Sequence, residues 1–480
     1  DMDRAGELVE AFYIKLMENA IWPRDIVNFC NMTVGGCDAM GNDIGNDLTW
    51  LALDTLVKTK STHPLLSFRW HENVDKDLWK RAVSVVGVGT GLPAIFSDPL
   101  MIAALESWGV DRALAAEYGV VGCVEPALVG LLHGQTLGAH VNTLMCLELA
   151  LNDGRRIGHT EQLGPQTGCL CDFKTMDDIM QAYETQVRHA CAINRDCVYA
   201  VAKAQQACFG YPLMSSLMHG ALERGQDLTK GVTYNFPTVC ITGVTNVLDS
   251  LLSIEELVFE SGDYSFSDLY DALMANYEGY EDLLVRIRAS QNRFGNGQPR
   301  YVDLYNRICE AHTGVLETQP GPRGGYFAPG LWTTGWYVQQ GRHTGPSLDG
   351  RRAGEPIADG AGPVSGRVYK SPTAVARDMA GVDAVRHYPG GYVHNQKFSS
   401  SLFRSEEQLE KLADYIETYL KIGGMQMQIN VHSKALLMDA LENPDKHRDL
   451  VVRVAGFSAY FTTLDPGVQE EIATRAVVEV

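Results

Sequence analysis

The sequence predicts an α/β architecture with parallel strands in a barrel-like arrangement, and three observations carry that prediction. First, 480 residues with 45% aliphatic plus aromatic content can bury a large core, as one barrel with an appendage or as two or three domains. Second, helical periodicity alternates with short β-prone runs along much of the chain. Third, the alternation is plainest near the C-terminus. There Leu409, Leu412, Ile416 and Tyr419 mark one face of a helix over residues 406–420, closed by Gly423-Gly424. Met425-Gln-Met-Gln-Ile-Asn-Val431 then alternates as a strand with one buried face.

The other elements follow in order. The chain opens with a helix whose Leu8, Phe12 and Leu16 share a side, stopped near Pro23. Gly35-Gly36 and Gly41-Asn42-Asp43 make a loop before a helix over 48–58, a strand over 67–70 and a helix over 76–86. Gly87-Val-Gly89-Thr-Gly91-Leu-Pro93 resembles a phosphate cradle, but Leu92 stands where a dinucleotide-binding turn needs glycine, so a loop rim is expected. Helices over 99–108 and 111–118 lead into an apolar β-prone run at 119–124. Further helices are expected at 142–151, 176–208, 213–223, 247–260 and 266–291, with a strand at 238–241. Residues 313–362 are rich in Gly and Pro and are expected to be irregular, with one strand at 332–339. Ser433 caps a last helix, which Asn443-Pro444 stops.

Forty basic against 59 acidic residues give a net charge of −19, which argues against nucleic acid and anionic membrane as partners. Apolar runs are too short or too interrupted to span a bilayer; the run at 144–151 contains Glu148. The first residue is Asp1 rather than methionine, so the N-terminus is expected to be cut, processed or incomplete. Eleven cysteines, an odd number, fit thiols in a reducing cytoplasm better than a disulfide framework. Cys169-Leu-Cys171 has no second pair at zinc spacing, so no metal site is expected.

Two stretches carry the chemistry. In Val452-Arg-Val-Ala-Gly-Phe-Ser-Ala-Tyr-Phe461, Gly456 interrupts an apolar, aromatic run. An ordered glycine there answers a need for a tight turn, for close backbone approach, or for chemistry at an α-carbon without a side chain. In Gly122-Cys-Val-Glu-Pro126 a strand is expected to end near Cys123, with Pro126 stopping backbone donation. A thiol and a carboxylate at i and i+2 of an extended backbone point the same way. The anionic neighbour disfavours a thiolate nucleophile, although His133 and His140 keep a cysteine-hydrolase reading open. The pairing suits a thiol that carries a hydrogen atom beside a base that takes a proton.

Gly-Cys-Val-Glu-Pro, followed 456 − 123 = 333 residues later by Arg-Val-Ala-Gly-Phe-Ser-Ala, resembles the glycyl radical enzymes related to pyruvate formate-lyase. Asp349-Gly-Arg-Arg-Ala-Gly-Glu-Pro356, His394-Asn-Gln-Lys-Phe398 and Gly423-Gly424 support the resemblance, which runs across essentially the whole chain. It implies part of a ten-stranded α/β barrel of two five-stranded halves. Residues 1–345 would hold the partial barrel with the cysteine loop, and residues 346–480 the glycine radical domain. It also implies a radical on Gly456, installed by a separate radical S-adenosylmethionine activase, with no cofactor or metal bound in this chain.

The Gly-Cys-Val-Glu-Pro form resembles the branch of diol and glycerol dehydratases, choline lyase and isethionate lyase. In that branch a thiyl radical at Cys123 would take a hydrogen from a small hydroxylated substrate, and Glu125 would deprotonate its hydroxyl. Val124 departs from the adjacent cysteines of pyruvate formate-lyase itself. Thr136 and His140, read at one helical turn's spacing, are candidate substrate contacts, with loop and cap roles an equal reading. A cytoplasmic homodimer is expected. Arylacetate decarboxylases share much of the pattern. Only 122 residues precede the cysteine, where family members carry several hundred, so a fragment or a partner subunit of a split enzyme is the competing expectation.

Overall fold

The computed structural model describes residues 1–18, 29–134, 136–367 and 370–474. They form two compact units, one of Asp1–Val129 with Met379–Val480 and one of Gly130–Asp378.

The first unit begins with helix Met2–Met17, capped by the Asp1 carboxylate on the Asp3 N–H. Its packed side differs from the expected one: Leu8 and Phe12 are 56% and 49% exposed, whereas Tyr13 is buried. Gly6 admits the Leu51 side chain, and the Tyr13 hydroxyl donates to the Ala52 carbonyl at 3.1 Å, so a small residue and an amphipathic ring set the contact instead of the leucine face. The expected stop at Pro23 lies outside the described residues.

Strands β1 (Asn31–Gly35), β2 (Leu65–Trp70) and β3 (Ala94–Ser97) pair in parallel, with helices Asp47–Thr59 and Lys76–Val86 as crossovers. Asn46 and Asp75 cap those helices with their side chains. β1 and β3 are short and lack clear alternation, and they are missing from the sequence expectation for that reason. The expected helix at 111–118 is a single turn, Arg112–Ala115. After it, β4 (Gly119–Val121) and β5 (Glu125–Ala127) form an antiparallel hairpin. Arg69 on β2 lies buried beneath it, paired with Asp98 and stacked 4.2 Å over the Tyr118 ring, with further bonds to the carbonyls of Cys37, Ala116 and Tyr118. All three nitrogens of this buried cation are hydrogen-bonded, which lets the low-dielectric interior hold it.

The second unit contains the parallel sheet of β6 (Ala139–Asn142), β7 (Thr238–Thr242) and β8 (Ala328–Leu331). Helix Thr143–Leu151 packs against the long helix Met176–Cys208, which Thr175 and Asp178 cap reciprocally. Other expected helices break at residues of positive φ. Residues 213–223 divide into Pro212–Ser216 and Ala221–Arg224 around Gly220. Residues 266–291 divide into Phe266–Met274 and Glu281–Ala289, because Asn276, Tyr277 and Gly279 all take positive φ. The strand expected at 332–339 is replaced by β8 and by helix Trp336–Arg342, while helix Pro299–Leu316 extends into the supposed irregular stretch.

The chain returns to the first unit through β9 (Asn395–Lys397) and β10 (Gln426–Asn430). β10 joins β3 antiparallel and β9 parallel, giving a five-stranded sheet in the order β1-β2-β3-β10-β9. β10 is preceded by helix Glu406–Lys421, as its periodicity requires. The last hairpin is β11 (Val451–Arg453) against β12 (Ser458–Tyr460), and its turn carries Gly456. The fold is therefore α/β with largely parallel sheets, as expected. Among the described residues no helix is long and apolar enough to cross a membrane, and no group of three or more His, Cys, Asp and Glu side chains is placed to hold a metal ion.

Candidate active site

Both singled-out motifs are turns of short antiparallel hairpins, and both hairpins belong to the first unit. Cys123 lies at the tip of the β4–β5 hairpin. The tip is tight: Gly122 has φ +61°, and the Asn31 side chain brackets its peptide, accepting from the Gly122 N–H at 3.0 Å and donating to the Gly122 carbonyl at 2.8 Å. Thr33 accepts from the Val120 N–H, also from β1. The sheet's first strand thus fixes where the thiol sits. Pro126 is a strand residue opposite Val120 and does not end the strand, and residues 122–124 form the turn. The i, i+2 alignment inferred from an extended backbone does not apply across such a turn. Glu125 nevertheless folds toward it, since a Cβ built on Gly122 would lie 2.6 Å from Glu125 Oε2. Cys123 and Glu125 are each only 3% exposed.

Gly456 has φ +93°, which L side chains rarely adopt, and a Cβ there would overlap the Cβ and Sγ of Cys123. Of the three needs that the sequence left open, the backbone meets two at once: a tight turn and an approach that no side chain permits. The Cys123 thiol donates to the Ala455 carbonyl at 3.6 Å. From the other side Gly391, at φ +118°, lets the Val124 carbonyl come within 2.9 Å of where its Cβ would stand. The cysteine tip thus meets close backbone approaches at both Cys123 and Val124.

β10 supplies the polar partners. Its strand is buried on both faces, contrary to the one-face expectation. Asn430 brackets the Arg453 peptide, accepting from its N–H at 2.8 Å and donating to its carbonyl at 2.7 Å. Gln428 Oε1 accepts from the Gly456 N–H at 3.2 Å and also from Arg453 Nε. Arg453 is fully buried, and burial lowers its pKa to about 10, opposed by the attraction of the Cys123 sulfur. The glycine-rich loop at 87–93 packs beneath this hairpin. Ser458 Oγ donates to the Thr90 carbonyl at 2.7 Å, and His432 Nε2 lies 2.8 Å from the Gly89 carbonyl and 2.6 Å from that of Val451. Its glycines serve close backbone packing.

Thr136 and His140 belong to the second unit. The helical spacing assumed for them is not present: Thr136 is an exposed turn residue, and His140 sits on β6 opposite Cys240. Leu137 at φ +54° interrupts any helix there. The His140 ring stacks on Trp336 with 4.3 Å between centroids, and burial pushes its pKa down to about 4. Gln428, Asn430, Arg453 and Asn31 were missed by sequence reasoning. The signal was present in Gln426, Gln428 and Asn430, an alternating set of uncharged amides with no Lys or Glu among them, which is unusual for a solvent face.

His394, in the supporting motif, is buried against Tyr419 at 5.0 Å between ring centroids and bonded to Gln396, and burial pushes its pKa down to about 3. A histidine depressed on folding is neutral in the folded chain and protonates below about 6.5 in the unfolded one. Its share of stability is intact above that pH and is lost as pH falls toward 3. By pH 5 the loss is about 2 kcal/mol. His394→Gln should shrink the difference in unfolding free energy between pH 7 and pH 5, read from denaturant titrations, by that amount.

Residues 1–341 match the family model described as pyruvate formate lyase-like, and residues 357–462 match the one described as glycine radical. The chain belongs to the pyruvate formate-lyase-like glycyl radical enzymes. It is 32% identical to (2S)-3-sulfopropanediol dehydratase from Klebsiella oxytoca, over 98% of this chain and 59% of that protein. It is 30% identical to isethionate sulfite-lyase from Bilophila wadsworthia, over 92% and 54%. Among solved structures, the glycerol-bound B12-independent glycerol dehydratase from Clostridium butyricum superposes with a TM-score of 0.94 at 30% identity, covering 99% of this chain and 61% of that one. The chain therefore spans about 54–61% of the length of these glycyl radical enzymes. The family carries its radical on a glycine, as a post-translational modification installed by a radical S-adenosylmethionine activase, and Gly456 falls within the matched glycine radical segment.

Proposed function

We propose that this chain carries the radical machinery of a lyase acting on a small hydroxylated substrate, with the radical stored on Gly456 in the portion 346–480 and passed to Cys123. The observation that carries the reading is the seating of the Gly456 α-carbon directly against the Cys123 side chain in a buried site. Loss of one α-hydrogen leaves an unpaired electron between amide nitrogen and carbonyl, and glycine alone presents no side chain to oppose planarity. The glycyl radical takes the hydrogen of the Cys123 thiol, and the thiyl abstracts hydrogen from the substrate carbon that bears the hydroxyl. Glu125 takes the hydroxyl proton. The resulting ketyl expels the neighbouring group with its bonding electrons, as amine, as sulfite, or as a hydroxyl that takes the proton held by Glu125 and leaves as water. The product radical recovers hydrogen from Cys123, and the thiyl returns the spin to Gly456. Water and sulfite elimination are favoured, because the relatives are named a dehydratase and a sulfite-lyase. Thr136 and His140 are proposed as substrate contacts, an activase and a second copy of the chain as partners, and the cytoplasm as the compartment.

Anaerobic incubation with a matched activase should give a glycine-type doublet in electron paramagnetic resonance. Diols, sulfonated alcohols, choline and arylacetates, offered in turn to the activated protein, separate elimination from decarboxylation. A wild-type doublet without turnover of any of them assigns the chain to a partner role beside a second polypeptide. Glu125→Gln should keep the doublet and lower turnover about 10²–10⁴-fold, the usual contribution of a positioned base. Unchanged turnover removes Glu125 from the mechanism.

A further inference from the structure

We infer that Gln428 is the positioning residue for Gly456: its side-chain carbonyl, oriented by Arg453, pins the glycine amide so that the α-carbon faces the Cys123 thiol. The inference rests on the radical reading of Gly456 and adds a residue outside both motifs. Gln428 lies on β10, 28 residues before the glycine, with its side chain wholly inside the unit. The two groups that meet its amide, Gly456 N–H and Arg453 Nε–H, are both donors. Only the carbonyl oxygen can satisfy them, so the amide has one workable orientation, and its Nε2 finds no hydrogen-bond partner. A buried amide hydrogen left without an acceptor is a misfit. Leaving one there is the cost of giving a single oxygen to both donors.

The placement also decides what restrains the loop. Asn430, two residues along the same face, ties down the Arg453 peptide. The Ala455 carbonyl receives the Cys123 thiol. The Gly456 N–H would be unrestrained without Gln428, and a glycine has no side chain of its own to hold it. A buried α-carbon cannot be reached by another enzyme until the hairpin turn moves out, so installing the radical requires the Gln428–Gly456 bond to break. Gln428 thereby bears on two opposed events, access to the glycine and its registry with the thiol.

Hydrogen–deuterium exchange of the 480-residue protein before activation tests this without any radical. In Gln428→Met, a near-isosteric change that removes the acceptor, the amide of Gly456 should exchange about tenfold faster, the effect of losing one hydrogen bond of about 1.4 kcal/mol. Gln428→Glu keeps an oxygen for both donors and should hold exchange near the wild-type rate. Unchanged exchange in Gln428→Met overturns the proposal, as does equal loss of protection in both variants. Faster exchange across helix Lys76–Val86 would mark the methionine variant as globally unfolded, and the glutamate variant then decides, with retained protection supporting the assignment and lost protection overturning it. On activated samples in D2O, the α-hydrogen splitting should wash out more slowly in Gln428→Met than in wild type. If wild type gives no glycine doublet, the radical reading fails, while the exchange result still rules on what holds the Gly456 amide.

Discussion

Cys123→Ser should abolish turnover completely and leave the Gly456 doublet at wild-type intensity. A hydroxyl bond is too strong for a glycyl radical to open, so serine stops the spin where it is stored while preserving the shape of the hairpin tip. The geometry adds a sharper readout than activity. In D2O the thiol exchanges its hydrogen with solvent, and reversible transfer between Cys123 and Gly456 then replaces the remaining α-hydrogen of the radical with deuterium. The wild-type doublet should collapse to a singlet over time, and the Cys123→Ser doublet should persist. Collapse in the serine variant, or retained turnover, would show that another group exchanges hydrogen with the glycine.

Gly456→Ala should remove the doublet and also destabilise the fold, by about 3 kcal/mol, the sum of a disfavoured positive φ and a methyl driven into Cys123. The two effects separate. Thermal or denaturant unfolding of the unactivated protein reports the steric part. A Cys123→Gly, Gly456→Ala double variant should recover much of it, because the Cβ and Sγ that the methyl meets are both gone, and the φ penalty should remain. Stability equal to wild type in Gly456→Ala would mean that the turn relaxes easily, which its buried contacts with Cys123, Gln428 and Arg453 oppose.

The sequence showed the long elements well and the short ones poorly. Helices 76–86 and 176–208 emerge with the expected bounds because each has a capping side chain and an unbroken apolar period. β1 and β3 were illegible because neither alternates: Asn31–Gly35 is partly buried throughout and Ala94–Ser97 is buried throughout. The break at Asn276 and Tyr277 was hidden, since neither residue announces positive φ as glycine does. The cysteine and glycine motifs were legible, but their mutual placement depends on the sheet and hairpins that carry them. Gln428 was in plain view and misread: a period-two amide pattern signals which residues share a face, not whether that face meets water or another hairpin.

The side chains that hydrogen-bond the glycine hairpin also bear on where an unpaired electron can travel. They are the amides of Gln428 and Asn430, the Arg453 guanidinium, the Ser458 hydroxyl and the His432 imidazole. The hydrogens that these groups offer to hydrogen bonds sit on nitrogen or alcohol oxygen, in bonds that a carbon radical stabilised by its own amides is too weak to break. The thiol of Cys123 holds the weakest hydrogen in the set. The hairpin is insulated in the electrical sense, with polar contacts that fix its position and conduct nothing, and one sulfur left as the terminal.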